Sequence, residues 1–95
     1  MMQVQLSNQS RRDLAQHWSY IARDSAANAS RWRARILDRC RQLAVHPKIG
    51  EACSHLRPAL RRTSLGNYVI YYEPRDSEIR IVRVLHGAQD ETAQF

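Results

Sequence analysis

The N-terminal residues alternate between polar and apolar positions and then change to a helical period. Val4 and Leu6 alternate with glutamines, which predicts a short strand with one buried face. Ser7 supplies helix N-cap chemistry, and apolar residues then recur at intervals of three and four. The pattern therefore predicts a first helix over about residues 8 to 23.

A second amphipathic segment follows after very few connecting residues. Asp24 and Ser25 form another cap signal, and Pro47 disfavours helical backbone at the residue before it. The apolar stripe between them consists of Ala29, Trp32, Ile36, Cys40 and Leu43. This spacing predicts a second helix that ends near residue 45, and the short connection predicts an antiparallel helical hairpin.

The second half of the chain has the composition of strands. Three segments rich in β-branched and aromatic residues are residues 60–65, 68–73 and 79–86. Gly66-Asn67 is a two-residue hairpin signal between the first two, whereas residues 46–59 show no sustained period and are predicted to be a loop.

Of the tyrosines on the middle strand, those facing the helices are expected in the core. One on the other face is expected to be partly exposed or to contact a partner.

The order of predicted elements is β-α-α-β-β-β. A chain of 95 residues buries its apolar surface most simply as two layers, with the helical hairpin packed on one face of a small, mostly antiparallel sheet. We therefore expect one α+β domain over residues 1–95. Two domains or a deep cleft for several substrates are not expected at this length.

The charge is strongly positive and unevenly distributed. Fifteen Lys and Arg residues against nine Asp and Glu residues give a net charge of +6, and residues 1–50 alone hold nine basic and three acidic groups. The polar face of the second helix carries five arginines against a single aspartate. This face is either simply solvated or a docking surface for an acidic protein segment or for phosphates.

Several classes of protein find no support in the sequence. The longest apolar run, Tyr68 to Tyr72, is far shorter than the about 20 residues of a bilayer span, and the N-terminus lacks the features of a secretory signal. Cys40 and Cys53 have no metal-ligand spacing and are expected to be reduced thiols. We expect a cytoplasmic protein with no metal, no cofactor and no small-molecule substrate.

The order and spacing of four segments carry more information than any one of them. The segments are Asp13-Leu14 with Trp18, Leu43 to Pro47, Gly66 to Glu73 and Ile79 to Asp90. Together they resemble the ParE branch of the RelE/ParE toxin superfamily over nearly the whole chain. The resemblance implies a toxin of a type II toxin-antitoxin module of the plasmid-stabilisation kind, neutralised by a ParD-like protein antitoxin.

The resemblance to ParE implies DNA gyrase as the target. A protein that stabilises the cleaved gyrase–DNA complex acts by differential affinity for that state, so it needs a binding surface and no catalytic residue. The candidate target-binding residues are Arg57, Arg61, Arg83 and His86. A chemically inert toxin is therefore the first hypothesis.

The RelE-like relatives of this superfamily suggest a ribosome-dependent mRNA endonuclease as the alternative. Cleavage of RNA requires cations for the developing phosphorane charge and a group that transfers protons. Arg61, Arg62, Arg83 and His86 are the candidate catalytic residues for that reaction. RelE-like nucleases carry a tyrosine near the C-terminus, whereas the only aromatic residue after His86 here is Phe95. A basic nucleic-acid-binding domain is a third hypothesis.

The implied antitoxin is expected to be an acidic segment that folds as it binds. Arg31, Arg35 and Arg39 are spaced by four residues on the second helix and would form one ridge opposite such a segment. Trp18 on the first helix is a further antitoxin-binding candidate.

Overall fold

The computed structural model describes residues 2–95 and shows a five-stranded sheet in the order β1-β5-β4-β3-β2. Its strands are β1 (Gln3–Leu6), β2 (Glu51–Ala52), β3 (Arg61–Leu65), β4 (Tyr68–Pro74) and β5 (Glu78–His86). β1 runs parallel to β5, and every other neighbouring pair is antiparallel. The predicted N-terminal strand and the three C-terminal strands are confirmed, and Gly66 turns the hairpin between β3 and β4 with a φ of +59°.

The two predicted helices form the second layer. α1 (Asn8–Ala22) and α2 (Ala26–Val45) begin after Ser7 and Ser25, whose hydroxyl groups accept hydrogen bonds from backbone N–H groups in the first turn. Both caps therefore lie where the sequence predicts them. No helix among residues 2–95 is long and apolar enough to cross a membrane.

Two short elements are absent from the sequence prediction. β2 lies inside the segment predicted as a loop, where Glu51 and Ala52 pair with Arg62 and Arg61. A two-residue strand shows no alternation of its own, because it exists only through its pairing with β3. A one-turn helix, α3 (Glu91–Gln94), begins after Asp90, whose carboxylate accepts the Thr92 N–H. The prediction that residues 46–59 are only a loop is wrong at the two residues of β2.

The larger core lies between the helices and the sheet. Its buried residues come from α1, α2, β4 and β5. They are Leu14, Ile36, Cys40, Leu43, Ala44, Ile70, Tyr72, Ile79, Ile81 and Val84. Complete burial of one such aliphatic side chain contributes about 1.5–3 kcal/mol, so this face carries most of the apolar stabilisation.

A second, smaller core covers the opposite face of the sheet. It consists of Cys53, Leu60, Tyr71, Val82 and Leu85, with Leu56, Val69 and Phe95 packed against it. The covering comes from the segment 53–60 and from the residues that end at Phe95. Tyr71 on this face is only 3% exposed, so the expectation of a partly exposed tyrosine away from the helices is wrong for Tyr71. The physical reason is that the C-terminal residues fold back over it.

Candidate functional site

The outer edge of β5 is open where β1 ends. β1 pairs with β5 only as far as Leu6 opposite Ile81. Beyond that point two side chains of α1, one helical turn apart, bond to the main chain of Val84. Asp13 Oδ2 accepts the Val84 N–H at 3.0 Å, and His17 Nε2 lies 2.9 Å from the Val84 carbonyl oxygen. The helix thus takes the place that a neighbouring strand would have occupied.

The same aspartate forms a buried ion pair with Arg83. Arg83 Nε lies 2.7 Å from Asp13 Oδ2, and Arg83 Nη2 lies 3.0 Å from Oδ1. The two side chains are 13% and 5% exposed, and Arg83 Nη1 also donates to Gln94 Oε1 at 3.1 Å. Removal of either charge would leave the other buried without compensation. Arg83 therefore joins α1, β5 and the C-terminal residues.

A polar groove of about 520 Å³ opens beside this ion pair. Tyr68 contacts two imidazole rings in it, with centroid distances of 5.0 Å to His17 and 5.2 Å to His86. Burial raises the pKa of the Tyr68 hydroxyl. Four glutamine side chains, Gln9, Gln16, Gln89 and Gln94, contribute to the walls. The groove can form hydrogen bonds with a polar ligand, but its single arginine is already neutralised by Asp13.

A second charged network lies on the sheet face away from the helices. Glu91 of α3 bonds to Arg62 and accepts the Tyr71 hydroxyl at 2.7 Å, and Arg62 also bonds to Glu51. The Tyr71 hydroxyl, with the help of Arg62, lowers the pKa of Glu91. Burial together with the hydrogen bond to Glu91 raises the pKa of Tyr71 to about 12. Hydrogen bonds from Arg62 to Glu51 and Glu91 raise the pKa of Arg62. This network attaches α3 to the sheet.

The other two candidate target-binding arginines also have partners inside the fold. Arg57 Nη1 lies 3.4 Å from Glu73 Oε2, and its guanidinium lies 5.6 Å from the centre of the Phe95 ring. Arg61 donates to the main-chain oxygens of Gly50 at 3.0 Å and Lys48 at 3.1 Å. Arg61 therefore stabilises the turn after α2.

Of the four candidate nuclease residues, only Arg83 and His86 line the same groove. Arg62 and Arg83 are the cross-strand partners of Tyr71, which faces away from the helices. Arg61 is the partner of Tyr72, which lies in the helix-side core, and the His86 ring packs on Tyr68 at the edge of that core. Because cross-strand partners share a face, the register places two candidates on each face of the sheet, and Arg83 and His86 meet only at the outer edge of β5, in the groove beside Asp13. Their roles in binding a target stay predictions.

The antitoxin-binding candidates lie on the helical hairpin, but with different surroundings. Arg31 and Arg35 are exposed, and Arg31 bonds only to Asn28 among the described residues. Arg39 is half-buried and donates to Thr63 Oγ1 at 3.1 Å and to the Ser64 carbonyl at 2.8 Å. Arg39 is thus partly engaged with β3, whereas the first two arginines of the ridge are accessible.

Trp18 lies half-buried in a groove of about 430 Å³ between the helices. Arg11 of α1 and Arg33 of α2 line the same groove, and Leu6 and Leu14 contribute apolar surface. The indole is therefore accessible from outside, and its role in antitoxin binding stays a prediction.

Sequence reasoning missed Asp13, His17, Glu91 and Gln94 as residues of these networks. A signal for the first two exists in the sequence. Asp13 and His17 are polar residues spaced by four on the buried side of α1, next to Leu14. Buried polar groups require hydrogen-bond partners, but the sequence of the helix alone does not identify those partners. Glu91 and Gln94 carry no such signal. Among residues 2–95, no three His, Cys, Asp or Glu side chains lie close enough together to hold a metal ion.

A two-helix hairpin on a mixed five-stranded sheet, with an arginine-rich surface, defines a small basic α+β protein. Residues 4–91 match the family described as ParE toxin of type II toxin-antitoxin system, parDE. The chain therefore belongs to the ParE toxin family, which confirms the resemblance stated from the sequence.

Individual relatives agree with this assignment. The chain is 40% identical over 48 residues to Toxin ParE1 of Mycobacterium tuberculosis, which is 50% of this chain and 49% of that protein, so the match spans about half of the relative's length. It is 28% identical over 96 residues to Toxin ParE1 of Caulobacter vibrioides, covering 100% and 99% of the two chains.

One solved structure bears on the fold alone. A chain of the chromosomal ParDE TA system from P. aeruginosa superimposes with a TM-score of 0.76 at 18% identity. The match covers 90% of this chain and 96% of that one. The predicted α+β architecture is thereby confirmed.

Proposed function

We propose that this member of the ParE family inhibits DNA gyrase by stabilising the cleaved gyrase–DNA complex. It does so in the cytoplasm, as part of a plasmid-stabilisation module. Family membership over residues 4–91 supports the toxin class, and the resemblance to ParE supports the target. A binder of this kind traps one state of its target because it binds that state more tightly than the others.

The observation that carries the proposal is that the candidate catalytic arginines are used inside the fold. Arg62 is bonded to two carboxylates, Arg83 is bonded to Asp13, and Arg61 is bonded to main-chain oxygens. A nuclease needs cations that are free to stabilise a developing phosphorane charge. Arginines held in this way support a toxin that acts through its surface rather than through a reaction.

We propose in addition that a ParD-like antitoxin neutralises the toxin through an acidic segment that folds on binding. The superimposed structure from P. aeruginosa is that of a ParDE system, which supports a partner of this type. The accessible Arg31 and Arg35, with Arg39 beside them and Trp18 in the neighbouring groove, supply charge and an aromatic anchor for such a segment.

The gyrase proposal is tested with purified toxin in a supercoiling reaction, with accumulated cleaved DNA as the measurement. We expect cleaved DNA to rise with toxin concentration and to return to background when the antitoxin is added. His86→Ala and Arg61→Ala serve as variants of the candidate target surface, each checked for folding by circular dichroism. Toxin that leaves supercoiling and cleavage unchanged at micromolar concentration would contradict the proposal.

The ribonuclease alternative has its own readout in the same series. Wild-type toxin and the same two variants are added to a cell-free translation reaction, and cleavage of the mRNA is mapped by primer extension. The proposal expects no toxin-dependent cleavage. Cleavage that is lost in His86→Ala would establish the alternative instead.

The antitoxin interface is tested by charge reversal of Arg31, Arg35 and Arg39 together. We expect the affinity for the antitoxin to fall at moderate salt, because an acidic segment would meet three negative charges. Arg57→Glu with Arg75→Glu on the far side of the fold is the control for a general charge effect. An unchanged affinity of the triple variant would refute this interface.

A further inference from the structure

The arginines of this chain differ in whether they have a carboxylate partner inside the fold. Four arginines of the loops and strands form ion pairs with carboxylates, namely Arg57, Arg62, Arg75 and Arg83. Most arginines without such a partner belong to the helical hairpin, although Arg61 and Arg80 on the strands also lack one among the described residues and Arg41 on α2 has one. Six of its arginines are exposed and have no carboxylate within ion-pair distance among residues 2–95, namely Arg11, Arg12, Arg23, Arg31, Arg33 and Arg35.

Two of these cations line the same groove. Arg11 from α1 and Arg33 from α2 line the same cavity of about 430 Å³, with the half-buried Trp18 on its wall. No acidic side chain of the described residues lines this cavity. Neither guanidinium donates a side-chain hydrogen bond within residues 2–95, so both are available to an anion from outside. Two guanidinium groups that line one groove suit phosphate oxygens.

The surrounding surface has almost no negative charge to compensate for them. Three aspartates belong to the hairpin, but Asp13 is bonded to Arg83 and Asp38 is bonded to Arg41 at 2.7 Å. Of these three aspartates, only Asp24, in the connection between the helices, has no arginine partner among the described residues. Exposed arginines therefore lie near both ends of α1, Arg11 and Arg12 at one end and Arg23 just after the other, and the 15 residues of the helix span about 22 Å. Duplex DNA presents roughly 13 phosphate charges over that distance.

We propose that the outer surface of the helical hairpin binds the phosphate backbone of duplex DNA, with Arg11 and Arg33 as the central contacts. This inference deepens the proposed function and rests on it, because it makes the DNA of the gyrase–DNA complex a direct partner of the toxin. Uncompensated cations on both helices of the hairpin suit a polyanion. Leu6, Leu14 and Trp18 give the groove apolar surface as well. A folding peptide would need carboxylates placed against Arg11 and Arg33, whereas a duplex of any sequence presents phosphates there.

The test is the affinity for a fluorescent 20-base-pair duplex of arbitrary sequence, measured by anisotropy at several salt concentrations. The variant is Arg11→Gln with Arg33→Gln. The control is Arg75→Gln with Lys48→Gln, two exposed positions outside the hairpin that remove the same net charge. We expect the test variant to lose about tenfold in affinity. The slope of the logarithm of affinity against the logarithm of salt concentration should also become shallower by roughly 2, because each lost phosphate contact removes about 0.9 from that slope. The control should change less than about twofold.

Each outcome separates the two proposals. Wild-type toxin that does not bind the duplex, or a test variant that binds as well as the control, overturns the DNA inference. If the same wild-type preparation still accumulates cleaved DNA with gyrase, the proposed function stands without direct DNA contact. DNA binding as expected without any gyrase effect would overturn the proposed function and leave a DNA-binding hairpin. A test variant that loses affinity for the antitoxin but not for DNA would assign the groove to an acidic protein segment, against the inference.

Discussion

The two faces of the sheet are covered in different ways. The helix-side core holds ten buried residues, closed by α1 and α2. The opposite core holds five, closed by an irregular segment and by α3 with Phe95. Each face contains one fully buried cysteine and one buried tyrosine, Cys40 and Tyr72 on the helix side, Cys53 and Tyr71 on the other. The chain therefore offers matched residues in two environments.

The difference is clearest in how the two tyrosine hydroxyls are bonded. The Tyr72 hydroxyl donates to the Pro47 carbonyl at 2.9 Å and accepts the Gly50 N–H at 2.9 Å, so only neutral main-chain groups are involved. The Tyr71 hydroxyl donates to the charged Glu91. The helix side is thus closed by packing and backbone hydrogen bonds, whereas the opposite side depends on groups that titrate. We expect the second face to open more readily and to respond to pH.

The largest effect is expected where α1 meets the edge of β5. Asp13→Ala leaves Arg83 and the Val84 N–H without their buried partner, and we expect the free energy of unfolding to fall by about 3–5 kcal/mol. Urea denaturation at pH 7 measures it. Gln16→Ala, an exposed position on the same helix, should cost less than about 0.5 kcal/mol. A loss below about 1 kcal/mol in Asp13→Ala would show that the ion pair is not needed.

Matched leucines compare the packing of the two faces. Leu43 and Leu60 are 0% and 1% exposed and belong to the helix-side and the opposite core respectively. We expect Leu43→Ala to cost about 3–4 kcal/mol and Leu60→Ala about 2–3 kcal/mol, because a cavity next to an irregular segment collapses more easily. Equal losses in urea denaturation would mean that the second face is as rigid as the first.

The two cysteines report opening of each face directly. Burial raises the pKa of Cys40 to about 12 and also raises that of Cys53, so neither thiol reacts while it is buried. The measurement is labelling with a maleimide, followed by mass spectrometry of the peptides. We expect Cys53 to react about tenfold faster than Cys40, because local opening of the second face exposes Cys53 without global unfolding. Labelling of both cysteines at one rate would contradict the difference between the faces.

The smallest effect is a pH dependence of the second face. The pKa of Glu91 is lowered from its ordinary 4.5, chiefly by the Tyr71 hydroxyl, with Arg62 and His55 nearby. Its contribution is therefore complete above pH 4.5 and is lost as the pH falls through the lower folded value. We expect Glu91→Gln to be less stable than wild type at pH 7 and the gap to narrow towards pH 3.

The measurement is the urea midpoint of both proteins between pH 3 and pH 7. Asp24→Asn is the control, because Asp24 has no ion pair among residues 2–95. If the difference in urea midpoint between wild type and Glu91→Gln stays constant across this pH range, the charge of Glu91 does not hold α3 in place.

The helices and strands were largely predictable because their signals are local. The caps at Ser7 and Ser25 and the hairpin at Gly66 lie where short stretches of sequence place them. β2 and the covering of Tyr71 were not predictable in the same way. Both depend on segments that have no period of their own and gain order only by contact with a finished sheet.

The candidate site residues were predictable as residue types but not as a constellation. Charge and chemistry singled out Arg61, Arg62, Arg83 and His86, yet only Arg83 and His86 come together, in the groove at the outer edge of β5. The carboxylates bonded to Arg62 and Arg83 belong to other helices and strands. Asp13 is 70 positions away from Arg83, and Glu91 is 29 positions away from Arg62. No local pattern specifies such pairs.

Spacing, cap chemistry and composition were enough to establish the two capped helices, the main strands, the ParE resemblance and the positive charge of the first half. These signals act over a few residues, so they can be read along the chain without knowledge of the fold. Only the folded chain shows which arginines are neutralised by a carboxylate and which have no such partner. It also shows that a second core lies beneath α3. Those outcomes depend on distances between residues far apart in the chain, which the packing of the sheet, the helical hairpin and the C-terminal residues sets.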